Sequence, residues 1–375
     1  MGCSRYLEHI SFSKLTPADV LALAQAELSR ATSLLGMTKL RWDLQGVPPK
    51  QPLFASVAEQ MAATTAEQTR IRTFLADNKL ATLPAWLGNY TVEPIPAVLA
   101  PFDYAGVGEE DDFNTGPGLA PGGNFVRYIP APQGGLPYFL DIMARSPSPV
   151  IVHEGIPGHW LQFQLSREND RPARRVFMDN VANEGLAFYF EEAMLTMGLF
   201  DGLVSPRTHQ TIYDMMRLRA VRAIIDVGLS TAQISAEAAV ALLCSELGMS
   251  TPEAEAEVDM ALSAPVQHAS YVIGKHEIFR FWHLIANRTT LLQFHDGLLA
   301  NGNLPIPVQR HYAEPLDARF GEPYVMLQCS RLVLQHGYIV AGTLCSRAFR
   351  TTACVCWRFH RTVLLNFLAC LGPHL

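Results

Sequence analysis

Helix-forming sequence dominates the chain between residues 136 and 297, and no other feature constrains the fold as strongly. Apolar residues recur there at intervals of three and four, which is the period of a helix with one buried face. Several of these segments begin with Ser, Thr or Asn, and Pro252 stands at a favoured first helical position. Residues 17–35 and 56–78 have the same period. The sequence therefore predicts a mainly α protein with minor β structure.

Composition divides the chain into four predicted segments. An N-terminal helical segment covers residues 1–80, and a segment rich in Pro, Gly, Asn and Asp covers residues 81–135. The second segment is typical of long loops with short strands, and loops of that length are often functional. A helical domain is predicted over residues 136–315, followed by a cysteine-rich tail without regular periodicity over residues 316–375.

Charge and cysteine placement exclude several classes of protein. The net charge is −6 and the Lys and Arg residues are scattered, so neither nucleic acid nor an anionic membrane is an expected partner. The N-terminus lacks a basic segment followed by an apolar run, and the most apolar stretch of the tail is too short to cross a bilayer. Five of the seven cysteines lie in the tail, which is not the distribution of a disulfide framework. We predict a cytoplasmic protein of undetermined oligomeric state.

The stretch HEGIPGH brings His153, Glu154 and His159 together. Zinc hydrolases often take two histidines from one helix, four residues apart, and use a nearby carboxylate to move the proton of a water molecule. Residues six apart on a straight helix point about 240° from each other, so these imidazoles could not share a metal there. Pro157 and Gly158 predict a kink or bulge, which could bring His159 back toward His153. The alternative is a strand-to-helix entry in which His153 caps the helix and His159 lies on the surface.

A third ligand is predicted in the stretch NEGLAFYFEE, which begins 24 residues after His159. Glu184 has the apolar neighbours Val181 and Ala187, and Glu191 shares the same helical face two turns later. A carboxylate on a buried face requires a proton, a cation or a metal ion. An exposed or arginine-paired acid is the alternative for Glu184 taken alone. Together with the histidines, the pattern fits zinc peptidases that use two His from one helix and a Glu from the next.

Five blocks of the sequence together resemble the DUF885 family of bacterial-type proteins. They follow the order and approximate spacing of that family between Val152 and Val308, with a looser match back to about Arg70, and they read HEGIPGHWLQ, NEGLAFYFEE, LRAVRAIIDVGLS, QHASYVIGKHEIFRF and FHDGLLANGNLPIPV. The family looks similar to the H-E-x-x-H/Glu metallopeptidases, a helical clan that includes carboxypeptidases and peptidyl-dipeptidases. The resemblance implies a multi-helix, gluzincin-like metallopeptidase domain.

The resemblance also implies roles for individual residues. His153, His159 and Glu184 would bind Zn²⁺, and Glu154 would act as the general base. Tyr271 would face the site, where a phenol can donate a hydrogen bond to a developing oxyanion. A core aromatic residue with its hydroxyl bonded elsewhere is the alternative for Tyr271.

Two basic residues are candidates for substrate binding. Arg222 could hold a substrate carboxylate, although it lies four residues before Asp226 on one predicted helix and an ion pair between them is the simpler interpretation. Lys275, one turn after Tyr271, is a weaker candidate of the same kind.

The chain departs from the family pattern at several positions. Trp160 stands where the family usually has a second histidine, Leu186 where it has tryptophan, and Ser230 where it has histidine. Family chains are also longer on the N-terminal side, and the sequence after Glu314 does not match. These departures put the completeness of a substrate cleft in doubt.

Three functions follow from these observations. The leading hypothesis is a zinc-dependent hydrolase of short peptides or related amides, with Glu154 as base. The second is a truncated or catalytically decayed relative that serves as a non-enzymatic binding module. The third keeps the metal site but applies it to the amide bond of a specialised small metabolite. Fold alone does not separate these functions, because function depends on the site.

Overall fold

Long helices enclose a buried apolar core in the computed structural model, which describes residues 2–98, 125–136, 138–169, 171–201 and 207–313. The described part is mainly helical with one small sheet, so the predicted fold class is confirmed. The chain separates into two units, Met1–Asp317 and Ala318–Leu375, and all described residues belong to the first. The predicted tail 316–375 lies outside the described residues, and the other predicted segment boundaries stay predictions.

The helices follow one another along most of the described chain. They are α1 (Cys3–His9), α2 (Pro17–Gln45), α3 (Val57–Asp77), α4 (Tyr138–Met143), α5 (Ser148–Val150), α6 (His159–Arg167), α7 (Pro172–Val176), α8 (Asn180–Thr196), α9 (Thr208–Ser230), α10 (Ala236–Leu247), α11 (Thr251–Ser263), α12 (Gln267–Ile285), α13 (Leu291–Ala300) and α14 (Ile306–Ala313). A π-helical turn, Ile151–Gly155, continues α5. Within the described ranges, none of these helices combines the length and the apolar character that crossing a membrane requires.

Polar side chains at the N-termini explain where several helices begin. At the start of α2, Thr16 Oγ1 accepts a hydrogen bond from the Asp19 N–H (3.2 Å), and the Asp19 carboxylate accepts one from the Thr16 N–H (2.8 Å). This reciprocal cap satisfies backbone donors that a helix end otherwise leaves unpaired. At the start of α11, Glu253 accepts from the Ser250 N–H (2.8 Å), and Pro252 lies in the first turn. The start of α11 therefore agrees with the sequence prediction.

Two short parallel strands form the sheet. Strand β1 (Tyr90–Pro94) pairs with β2 (Phe125–Ile129), and Val92 lies opposite Arg127. Both strands fall within the predicted loop-rich segment 81–135, as expected for short strands there. Arg127 on β2 is only 7 % exposed. The sheet therefore places a buried positive charge beside the helices.

A glycine from each of two helices joins α8 to α12 at close range. A Cβ atom built on Gly185 would lie 2.3 Å from the Cα of Gly274, and one built on Gly274 would lie 1.9 Å from the carbonyl oxygen of Val181. Both distances are far shorter than a van der Waals contact, so neither position accepts a side chain unless the helices separate. Glu184 and Tyr271 lie one and three residues from these glycines. The contact therefore sets the separation between two of the predicted site residues.

We predict that Gly274→Ala destabilises the fold by about 1–3 kcal/mol, the usual range for an overpacked core. The matched control is Gly297→Ala in α13, where an added Cβ would meet nothing within 4 Å. The control should be stabilised by up to about 1 kcal/mol, because alanine favours a helix interior over glycine. Urea unfolding of both variants measures the free energies. Equal effects of the two substitutions would contradict the close contact.

His295 connects α13 to α8 and to the chain after α3 in a fully buried position. Its Nδ1 lies 2.6 Å from the Leu80 carbonyl oxygen, and its Nε2 lies 2.8 Å from the Tyr189 hydroxyl. A neutral ring satisfies both contacts by donating from Nδ1 and accepting at Nε2. Burial lowers the pKa of His295 to about 4, although the hydrogen bond to Leu80 opposes that shift. The folded protein therefore holds this ring neutral at physiological pH.

We predict that His295 makes the fold sensitive to acid. Its pKa is lower in the folded chain than in the unfolded chain, so its contribution is fully present above about pH 6.5 and is lost as the pH falls toward 4. Over that window the free energy of unfolding of the wild type should fall by about 3 kcal/mol more than that of His295→Gln. Urea unfolding at a series of pH values measures the difference. Parallel pH profiles would exclude His295 as the cause.

Candidate metal centre

The break between His153 and His159 has the form that Pro157 and Gly158 predict. The Ile156 N–H donates to the Ile151 carbonyl oxygen (2.9 Å), a bond spanning five residues, and α6 begins anew at His159. A Cβ atom on Gly158 would lie 1.7 Å from the carbonyl oxygen of His153, so only glycine fits where the chain folds back on the preceding turn. Distortions of this kind gather at functional sites.

This break brings the two imidazoles to one side of α8. The ring centroids of His153 and His159 lie 4.7 Å apart. Glu184 Oε2 lies 3.6 Å from His153 Nε2 and 3.2 Å from His159 Nε2. One ligand atom from each of the three residues lies within 4.8 Å of the others, an arrangement that could hold a metal ion. The predicted convergence of these residues is therefore present.

The donor set and its spacing fit a zinc ion. Zn²⁺ binds imidazole nitrogen and carboxylate oxygen at roughly 2.0–2.2 Å in tetrahedral geometry, which places neighbouring donor atoms roughly 3.3 Å apart. The two distances from Glu184 Oε2 lie on either side of that value. A zinc ion held by these three residues would keep a fourth position for water or substrate, as in catalytic zinc sites. Other divalent metals also accept such ligands, so the donor set does not fix which metal binds.

His153 is held from behind by a buried carboxylate. Its Nδ1 lies 2.6 Å from Glu191 Oε1, and Arg219 reaches the same oxygen at 2.8 Å. Arg219 also approaches the Nδ1 atom, but at 3.3 Å. The shorter contact places Nδ1 against a carboxylate oxygen, which favours the tautomer with the hydrogen on Nδ1 and makes Nε2 the metal-binding nitrogen. Carboxylates behind metal-binding histidines fix the ring orientation in this way.

Two buried carboxylates near the centre pair with arginine, whereas Glu184 does not. Arg219 neutralises Glu191, and Glu257 accepts two hydrogen bonds of 2.6 Å from Arg222. Within the described part of the chain, Glu184 has no lysine or arginine partner and contacts the two histidines instead. A buried carboxylate left in this position requires a proton or a cation nearby.

His153 supplies positive charge beside Glu184 when no metal is bound. Burial raises the pKa of Glu184, but His159 and His153 outweigh it and hold the pKa well below its usual range. Burial and Arg219 lower the pKa of His153, but Glu184 and Glu191 raise it to about 9. A metal ion at this position would replace a proton, as expected when cations and protons compete for the same nitrogen.

Glu154, the predicted base, pairs with the arginine of strand β2. Its Oε2 lies 3.1 Å from Arg127 Nη2, and the Glu154 side chain keeps 21 % of its surface exposed. Burial raises the pKa of Glu154. Arg127 and the two histidines together lower it by more, so the net shift of the pKa is downward. The carboxylate is therefore ionised at neutral pH and can accept a proton.

Tyr271 lies beside the predicted ligands. Its ring stacks on that of His153 with centroids 6.2 Å apart, and it meets the edge of Phe188 at 6.4 Å. Burial and the charge of Glu184 raise the pKa of Tyr271 far above its ordinary value, although Arg222 opposes the shift. The phenol thus stays protonated and can donate a hydrogen bond.

The two predicted substrate-binding residues are already engaged with carboxylates. Arg222 pairs with Glu257 of α11 and not with Asp226, so the predicted pairing with Asp226 is wrong. Asp226 instead accepts hydrogen bonds from backbone N–H groups at the start of α12. Lys275 contacts Glu27 and lies 2.9 Å from Glu192. Substrate binding by Arg222 and Lys275 stays a prediction.

Sequence reasoning missed Arg219 and Arg127, and it placed Glu191 on the correct face without a role. Arg219 lies in the apolar stretch MMRLRAVRAIID, where a buried arginine indicates a buried acid nearby. Nothing in the sequence near Arg127 indicates that β2 lies against the histidine turn, because that contact joins distant parts of the chain.

Comparisons with known proteins identify relatives of the fold. A model of the family described as "Bacterial protein of unknown function (DUF885)" matches residues 13–311. Similar solved structures are a "putative lipoprotein" from Colwellia psychrerythraea (TM-score 0.66) and a "putative lipoprotein of unknown function" from Shewanella oneidensis (TM-score 0.63), each 18 % identical. The alignments cover 82 % and 83 % of this chain but 53 % and 59 % of those chains, so this chain spans little more than half of each. No curated protein matches the chain.

We predict that Glu191→Gln weakens metal binding about 10- to 100-fold, the usual effect of removing a carboxylate behind a metal-binding histidine. The substitution keeps the shape of the side chain but removes the charge that Arg219 and His153 share. The control is Glu255→Gln, the same change at an exposed position of α11. Competition with a chromophoric chelator measures the dissociation constants. Unchanged affinity in the first variant would show that Glu191 does not support the centre.

Proposed function

The chain belongs to the DUF885 family, and from that membership and the geometry of its metal centre we propose that it is a zinc-dependent hydrolase of short peptides or related amides. The observation that carries the proposal is the convergence of His153, His159 and Glu184 beside the ionised carboxylate of Glu154. Two imidazoles and one carboxylate with a second carboxylate alongside are the functional groups of a zinc hydrolase.

The residues around the centre have separate roles in the proposed amide hydrolysis. A zinc ion bound there would polarise the substrate carbonyl and lower the pKa of a water molecule. Glu154 accepts a proton as that water forms its bond to the carbonyl carbon. When the carbon–nitrogen bond breaks, Glu154 returns the proton to the leaving nitrogen, which departs as an amine.

The pairing of Glu154 with Arg127 supports this role. Arg127 favours the ionised carboxylate, which is the form that accepts a proton, and the contact limits the directions in which the side chain can point. A carboxylate on the turn between two ligands lies near the reacting atoms by virtue of its position in the chain.

Tyr271 is proposed to stabilise the transition state. Its phenol is protonated, and its ring lies against His153, so the hydroxyl is available to donate to the oxyanion that forms on the former carbonyl oxygen. Preorganised donors of this type contribute strongly because they need not reorient during the reaction.

The proposed substrate is a small peptide or amide. Two further expectations from the sequence stay predictions. These are the cytoplasmic location and the absence of nucleic-acid and membrane partners. The solved structures of similar fold are described as lipoproteins, and that description concerns those proteins.

We predict that Glu154→Gln retains zinc but loses roughly 100- to 10,000-fold in turnover, because the amide keeps the shape of the side chain but cannot accept the proton. By contrast, His159→Ala should lose both zinc and activity, because a ligand is removed. Metal content and hydrolysis of a pool of di- and tripeptides are measured on the same preparations, with and without a chelator.

The outcomes of this experiment separate the three functions. Unchanged hydrolysis in Glu154→Gln would exclude Glu154 as the base. A wild type that binds zinc but hydrolyses no peptide would support either the binding module or the specialised metabolite, and an assay of non-peptide amides on the same preparation separates these two. A wild type that binds no metal would overturn the proposal entirely.

A further inference from the structure

Glu184 offers its two oxygens to different partners. Oε2 faces the two histidines, whereas Oε1 accepts a hydrogen bond of 3.0 Å from Gln267 Nε2. Gln267 is the first residue of α12, and Glu184 lies on α8. The contact therefore occupies the carboxylate oxygen that points away from the centre.

The orientation of the Gln267 amide follows from this carboxylate. Ionised Glu184 can only accept, so the atom of Gln267 that faces it must be the NH₂ group. The amide oxygen of Gln267 then points to Asn180, whose NH₂ group donates to it. Asn180 thus donates to the Gln267 amide oxygen, and Gln267 Nε2 donates to Glu184 Oε1. These two hydrogen bonds fix the orientation of the Gln267 amide.

The backbone that carries Gln267 is held in a strained conformation. Val266, the preceding residue, has φ +73°, a left-handed conformation that a β-branched residue rarely adopts. Asp226 holds the segment by accepting hydrogen bonds from the Val266 N–H (2.8 Å) and the Ala269 N–H (2.9 Å). Strain of about 1–3 kcal/mol persists only where surrounding contacts enforce it, and it gathers at functional sites.

We propose that Gln267 is a positioning residue that makes Glu184 bind the metal through Oε2 alone. The proposal rests on the metal binding proposed above. With Oε1 held by Gln267, Glu184 occupies one coordination position and not two, so that a position stays open for water beside the three ligands. Asp226 and the strained Val266 place Gln267 where it can do this.

The first test replaces Gln267 with methionine, which has a similar length but cannot donate. Freed from Gln267, Glu184 can turn and bind through both oxygens. We expect zinc binding to weaken about 10- to 100-fold. We also expect the cobalt-substituted variant to absorb visible light more weakly than the wild type, since a higher coordination number weakens these bands. The control is Gln25→Met, the same substitution at an exposed position of α2.

The second test, Asn180→Asp, leaves Gln267 and all three ligands in place. The new carboxylate accepts from the Gln267 NH₂ group, which turns the amide oxygen toward Glu184 and removes the hydrogen bond to Oε1. An acidic residue in the first turn of α8 should maintain or raise the free energy of unfolding. An added negative charge would by itself strengthen cation binding, so weaker binding in this variant is not an effect of charge, and urea unfolding checks that the fold is retained.

The zinc affinities and cobalt spectra of the two variants together test the proposal. Weaker zinc binding and weaker cobalt absorption in both variants, with the control unchanged, would support it. A wild type that binds zinc with the same affinity and cobalt spectrum as the two variants would overturn it and leave the proposed function intact. A wild type that binds neither zinc nor cobalt would instead overturn the proposed function, and this inference with it.

Discussion

The glycine-to-glycine contact between α8 and α12 is the constraint on which the centre depends. Gly185 and Gly274 let the two backbones approach more closely than any side chain allows. Residues on both sides of this contact then reach the same small volume: Glu184 from α8, and Gln267 and Tyr271 from α12. The contact itself carries no chemistry. It holds α8 and α12, which are stabilised by apolar packing over most of their length, on opposite sides of one site.

Ion pairs connect four more elements to that arrangement: β2, the π-helical turn, α9 and α11. Arginines from β2 and α9 neutralise Glu154, Glu191 and Glu257, and each pair joins two different elements of the fold. Buried ion pairs contribute little net stability, because desolvation offsets most of their attraction. Their effect here is selective, because they give arginine partners to Glu154, Glu191 and Glu257 but not to Glu184. The unpaired acid is therefore the one that two imidazoles surround.

The sequence could predict those parts of the site that depend on residues adjacent in the chain. Pro157 and Gly158 predict a distorted helix wherever they occur, and Glu184 stands out as an acid among apolar neighbours. Both signals are read from adjacent residues. The partner of Arg222 could not be read in this way, because the rule of four-residue spacing selects Asp226, whereas the fold uses Asp226 at the start of α12 and supplies Glu257 from another helix.

Long-range contacts account for what the sequence left open. Arg127 lies in a segment whose composition predicts loops, and its role depends on a two-stranded sheet whose register no local pattern specifies. Gln267 was part of a matched block, but a single glutamine has many uses on a helix. Only the position of α12 against α8 shows which carboxylate oxygen it holds.

The break at Pro157 and Gly158 also bears on how such centres are recognised in other genomes. Because one helical turn ends and another begins between the histidines, a six-residue interval brings their ring centroids to 4.7 Å. A pattern search that fixes the interval at four passes over every chain built this way. Proteins of this architecture would then be missed, although in this chain the side chains of His153, His159 and Glu184 converge to within 4.8 Å.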